Sequence, residues 1–173
     1  MDTENQNHAI SAKAGLTGAD REAVMQVARE HAQKMLKRLP MLGPVTWLMM
    51  AGAATRHTLL SELEWRVMPP LMLGQAKLYL REETPVAFAS WARLSAAAAE
   101  RYRMAPHHLA PTDWNSGEQL WLVDVLVPYG GAQDVLKDLR ENALAGEVLH
   151  QLLPVGESVR VLSWPAVDRT AAV

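Results

Sequence analysis

The sequence predicts a mixed α/β domain with a mainly antiparallel sheet flanked by helices. Three observations carry this. Residues 76–91 hold two short apolar segments parted by a polar turn, the pattern of a hairpin. Residues 119–127 form a third, strongly apolar strand. Around these segments, apolar residues recur every three or four positions, as in helices packed on a core.

Residues 1–16 are polar and read as a disordered tail. A helical extension is predicted over 17–39, where Val24, Val27, Ala28, Met35 and Leu39 share one face and Asp20 sits in the first turn. Pro40 and Pro44 end it. Residues 43–50 are apolar and run into the small residues 51–54. The spacing of Leu59, Leu60, Leu63 and Val67 predicts a helix over 57–67, with Glu62 and Arg66 off its apolar face and Pro69 and Pro70 closing it. Residues 76–81 and 85–91 are the hairpin strands. Residues 92–103 are alanine-rich and helical, with Ser95 a candidate cap. A loop at 106–111 carries His107 and His108, and a turn region covers 113–118. After strand 119–127, Pro128-Tyr-Gly-Gly131 breaks the chain before a helix at 132–144, which Gly146 ends. Residues 159–164 are the last strand. Residues 17–173 thus read as a single domain.

Composition excludes several function classes. The 173 residues are 49% apolar and 21% charged, as in a soluble globular domain. With 17 basic and 19 acidic residues, net charge is −2, which offers nothing to nucleic acid. Cysteine is absent, so disulfides and thiolate chemistry are out. The six histidines show no metal-ligand spacing. The first residues lack the apolar core of a secretory signal. No apolar stretch approaches the roughly 20 residues that span a bilayer. These readings point to a cytoplasmic protein.

Asp124 interrupts the apolar strand. A carboxylate there forfeits hydration unless something pairs with it. Strict alternation would place it with Leu122 and Leu126 on one face, opposite Trp121, Val123 and Val125. It is either a satisfied structural group or the orienter of a catalytic base. Gly130 and Gly131 resemble an anion cradle, since glycine admits close backbone approach and the following helix offers free N–H groups. Turn geometry alone also accounts for them. His57 opens a predicted helix after small residues, where an imidazole is accessible and suited to proton transfer. A plain surface cap is the competing reading. Trp91 and Trp114 border turns and could line an acyl channel, whereas core packing accounts for most of the six tryptophans.

The order GPVTWLMM, LEWRVMPPLMLGQ, PVAFASWARLS and DWNSGEQLWLVDVLVPYGG resembles the lysine acyltransferases that activate RTX toxins. The resemblance runs from about Gly43 to Gly131. It implies a cytoplasmic enzyme with an N-acetyltransferase-like fold that moves a fatty acyl group from acyl carrier protein to lysines of an RTX-type protoxin. No bound cofactor or metal is implied, and a homodimer is compatible with it. The resemblance also implies a histidine after the small residues and an aspartate in the long strand. The aspartate is Asp124. A gapless alignment puts the family histidine on Thr55 and its arginine on Arg56, with His57 two positions on. Threonine is no base near neutral pH. The resemblance thus assigns Asp124 and Arg56; His57, the only histidine of the segment, is taken as the partner of Asp124 in the catalytic pair, and the residue readings above put Trp91, Trp114, Gly130 and Gly131 with Arg56 on the donor and substrate side. A weakened family member that binds acyl groups or protein without turnover is the alternative. A small-molecule acyltransferase using coenzyme A is a third reading, lowered by the lack of that cofactor's glycine signature. Acyl chain length and target lysines are not written in the sequence.

Overall fold

The computed structural model describes residues 18–104, 108–156 and 158–168. The tail expected over 1–16 and the residue His107 lie outside them. Five strands run in sequence order across one sheet: β1 (Ala76–Arg81), β2 (Thr84–Leu94), β3 (Gln119–Leu126), β4 (Leu149–Val155) and β5 (Ser158–Trp164). Every neighbouring pair is antiparallel except β3 and β4. A parallel pair needs a crossover, and a helical segment supplies it. This segment is α6 (Ala132–Asp138), continued by one π-helical stretch over Leu139–Ala143. The mixed sheet flanked by helices is consistent with the N-acetyltransferase-like fold.

The remaining helices are α1 (Gly18–Arg38), α2 (Leu42–Ala51), α3 (Leu63–Arg66), α4 (Met68–Leu73) and α5 (Ala96–Met104). Helix α1, as far as Lys37, belongs to a unit separate from the sheet, and Val24, Met25, Val27 and Leu36 on it are exposed. No helix among the described residues is long and apolar enough to cross a membrane.

Several expected boundaries move. Prolines expected only to stop helices also start the next ones. Pro44 lies in the first turn of α2, and Pro69 and Pro70 lie in the first turn of α4. A first-turn N–H has no intrahelical partner, so proline loses nothing there. The helix expected over 57–67 is instead a turn at 53–57, a 3-10 turn at Leu60–Glu62 and the single turn α3. Residues 92–94, expected at the head of a helix, extend β2 by three pairings with β3. Helix α5 begins after Ser95, whose Oγ accepts the Ala98 N–H at 3.2 Å as an N-cap should. Strand β4 has no counterpart among the expected elements.

The largest correction concerns β3. Ser90 pairs with Asp124, and the next β2 residue, Trp91, pairs with Leu122, so Val123 is an unpaired extra residue. This β-bulge breaks the alternation of faces. Leu120 and Leu122 pack with Ala87, Ala89 and Trp91 under α6, and Val125 and Val127 join that cluster. Trp121 and Val123 face the other way, toward α5, and Leu126 packs with α2 and α4. Asp124 therefore shares a face with Trp121, Val123 and Leu126 rather than with Leu122.

The turn DWNSG is built for structure. Trp114 is fully buried and its indole N–H donates to the Trp65 carbonyl at 3.0 Å. The Ser116 hydroxyl accepts the Ser95 N–H at 3.0 Å. Gly117 lies so close to β2 that a Cβ there would sit 2.5 Å from the Ser95 Cα. Only glycine fits that approach.

Candidate functional site

The Val123 bulge turns Asp124 onto the helical face of the sheet that does not carry α6. Asp124 is 8% exposed there. A carboxylate so placed needs a partner, and α3 provides Arg66. Its Nε donates to both carboxylate oxygens, at 3.1 and 2.9 Å, and its Nη2 donates to Oδ1 at 2.5 Å. This fork-on-carboxylate contact fixes both side chains. The hydrogen bond from Arg66 to Asp124 raises the guanidinium pKa further, against the opposing effect of burial. Arg66 sits four residues after Glu62, both on the polar side of the segment. That spacing is visible in sequence, but its destination is not.

The pair forms one wall of a cleft of about 610 Å³. Its other walls come from the 53–57 turn and Thr58, from α3, from Tyr102 of α5 and from His108 in the loop before β3. Leu152 of β4 and Val159 of β5 close the apolar end. His57, Glu62, Trp65, His108 and Asp124 thus share one space. The His108 ring stacks on Trp65 with centroids 5.1 Å apart, and Trp65 is tied in turn to the buried Trp114. Burial first, and then the Asp124 charge, push the Tyr102 phenol well above its usual range, so it stays neutral. Among the described residues, the hydrogen-bond donor to Asp124 is Arg66 and not an imidazole.

The turn at 53–57 decides which residue of the segment faces this cleft. The Thr55 and Arg56 N–H groups donate to the Gly52 carbonyl at 3.2 and 2.9 Å, and the Thr58 N–H donates to the Thr55 carbonyl at 3.0 Å. Thr55 is 8% exposed, and its hydroxyl donates to the Met49 carbonyl at 2.8 Å. Thr55 and Arg56 line a separate groove on the α2 side. His57 lines the Asp124 cleft. The two-residue offset between Thr55 and His57 therefore brings an imidazole to the cleft.

The other sequence candidates lie elsewhere. Trp91, 8% exposed, belongs to the core under α6, and Trp114 to the core on the other face. Gly130 and Gly131, with φ of 87° and 86°, take left-handed backbone that favours glycine. They line a cavity of about 370 Å³ with Arg81, Ala87, Tyr129, Asp134 and Val135. Ala87 and Val135 belong to the α6 face, so this cavity opens across the sheet from Asp124. The Gly130 N–H is spent within its own turn on the Val127 carbonyl at 2.9 Å.

A cleft that combines an imidazole, a fixed carboxylate–guanidinium pair and a further carboxylate suits proton transfer from a cationic substrate. Comparison with known proteins adds a family. The sequence profile of the RTX toxin acyltransferase family matches residues 34–165. The leukotoxin-activating lysine-acyltransferase LtxC of Aggregatibacter actinomycetemcomitans is 36% identical over 102 residues, 59% of this chain and 61% of that protein. The protein-lysine myristoyltransferase HlyC of Escherichia coli is 32% identical over 106 residues, 61% of this chain and 62% of that protein. The protein-lysine palmitoyltransferase CyaC of Bordetella bronchiseptica is 35% identical over 88 residues, 51% of this chain and 48% of that protein. The chain thus spans about half to three fifths of the length of these relatives.

Proposed function

This chain belongs to the RTX toxin acyltransferase family, and from that premise we propose that it is a lysine acyltransferase that activates a protein toxin of the RTX type. The observation that carries the reading is the placement of His57 and Asp124 in one cleft, although the family's histidine position holds Thr55. The donor in this reading is an acyl thioester on acyl carrier protein. The relatives named as myristoyl- and palmitoyltransferases favour a long saturated chain. The reaction takes place in the cytoplasm, where protoxin and carrier protein meet.

The chemistry runs as follows. A lysine ammonium is protonated at neutral pH and is no nucleophile in that form. Glu62, beyond the mutually neutralising Arg66–Asp124 pair, gives the cleft the negative charge that draws it in. The ammonium first gives one proton to solvent, and the His57 imidazole then takes a second from the amine as Nζ attacks the thioester carbon. The C–N bond forms, the C–S bond breaks, and the imidazolium returns the proton to the departing thiolate. Asp124 stabilises the imidazolium across the cleft while Arg66 holds the carboxylate in place. The test is intact-mass analysis of a protoxin co-expressed with this chain. A lysine-borne acyl mass should appear with the native chain and fall by about 100-fold or more with His57→Ala. Full acylation by His57→Ala removes the imidazole from the mechanism. An unmodified protoxin with the native chain removes the activity.

A further inference from the structure

The turn that presents His57 is a ridge with a different surface on each side. On one side is the polar Asp124 cleft. On the other, Met49 and Leu63 form the floor of a groove of about 200 Å³ whose rim is Met50, Leu59 and Leu60. These three rim side chains are 67%, 65% and 83% exposed. Large apolar side chains this open, clustered in one place, mark a binding surface. Thr58 lines both spaces, so the groove and the cleft adjoin at that residue. The buried polar side chain at the groove, Thr55, has its hydroxyl satisfied by the Met49 carbonyl, so the floor makes no polar demand on an occupant.

We propose that this groove is the acyl-chain site: a saturated chain whose thioester carbon lies beside His57 crosses Thr58 and lies between Met50, Leu59 and Leu60. The inference rests on the acyltransferase reading and names the part of the molecule that reads chain length. Adjacency to the cleft is the argument for an acyl chain over other occupants. A chain anchored at the reacting carbon must leave the cleft, and an open apolar groove lies just across Thr58, the residue the two spaces share. Methionine and leucine suit a flexible chain, because they repack around it without fixed polar geometry. Each methylene buried there strengthens binding by roughly fourfold.

The test measures acyl-pantetheines from butyryl to myristoyl in two ways: binding, read by tryptophan fluorescence, and transfer to a lysine peptide. The native chain should bind more tightly with each added pair of carbons. Met50→Glu and Leu59→Asp place a charge on exposed positions, so folding is not at risk. Each should lower the myristoyl-to-butyryl ratio of affinity by about tenfold or more. A ratio unchanged in both variants overturns the proposal, as does an equal loss at every chain length. A native chain that binds with chain-length dependence but transfers nothing, either here or to a co-expressed protoxin, sustains the groove and refutes the acyltransferase reading. If either variant converts a native dimer to monomer with its chain-length ratio intact, the surface is an interface between copies and the proposal falls.

Discussion

Two carboxylates on opposite faces of the sheet have the same number of hydrogen bonds and very different environments. Asp124 receives three contacts from one guanidinium, at 2.5 to 3.1 Å. Asp138, at the end of α6, accepts from Lys77 at 2.5 Å, from the Tyr79 hydroxyl at 2.7 Å and from Asn142 at 3.0 Å. The side chain of Asp124 is 9% exposed and that of Asp138 32%. Water can replace any donor that Asp138 loses. It cannot readily do so for Asp124, which sits in the sheet under a single cationic partner. Bond count therefore does not distinguish the candidate catalytic carboxylate. Burial and the place of the partner do, and Arg66 lines the cleft with His57.

Asp124→Ala separates the two carboxylates most strongly. It leaves Arg66 partly buried without its counter-ion, which costs about 3 kcal/mol in chemical unfolding. Acyl transfer should fall about 10³-fold beyond what the lost folded population explains. The two effects separate in the double variant Asp124→Leu with Arg66→Met. Apolar replacement of both partners should return most of the stability and none of the transfer. A stable double variant that transfers at the native rate would make the pair a structural element only.

Asp124 is readable from the sequence as the strand's exceptional residue, because a lone carboxylate in an apolar run signals a required partner. The hairpin and the helix before Gly146 are equally plain from alternation and spacing. The face of Asp124 is not. A one-residue bulge at Val123 leaves no mark in composition, yet it reverses every side chain beyond it. Strand β4 is hidden because LHQLLPV mixes polar residues and a proline into its pattern, and its pairing with β3 is non-local. Arg66 as the partner lies 58 positions from Asp124, a distance that no local rule reaches. Pro69 and Pro70 mislead for a different reason: proline both ends and begins helices, and only the chain after it decides. His57 has the sequence context of a helix start. It belongs instead to a tight turn, and this turn is what separates it from Thr55.

The carboxylate on the other face tolerates substitution better. Asp138→Asn keeps the shape and one acceptor oxygen but removes the charge facing Lys77. The pair is about one third exposed, so the loss should be only about 0.5 to 1 kcal/mol. Acyl transfer at matched folded population should stay within about twofold of native. A loss of transfer approaching that of Asp124→Ala would place the α6 cavity, with Gly130 and Gly131, in the reaction after all.

The smallest effect is also the most specific, because its sign is fixed by titration. Burial works to raise the Asp138 carboxyl, but hydrogen bonds from Lys77, Tyr79 and Asn142 outweigh it and hold the group below its usual 3.8. The unfolded chain therefore takes up this proton first as pH falls. The stabilising contribution is complete above pH ~4 and is lost as pH drops through the folded value. The amide introduced by Asp138→Asn cannot titrate, so the gap in urea midpoint between this variant and the native protein should be widest near neutrality and close in acid. The same cluster has the opposite slope in alkali. Burial first, and then Asp138, raise the Tyr79 phenol well above its usual 10.0, so folding holds its proton and stability falls as pH climbs past that value. Removing the Asp138 charge should ease that alkaline loss without abolishing it, since burial of the phenol remains. A midpoint gap that is flat across pH would assign Asp138 to packing alone, and the contrast with Asp124 would then rest on burial without charge.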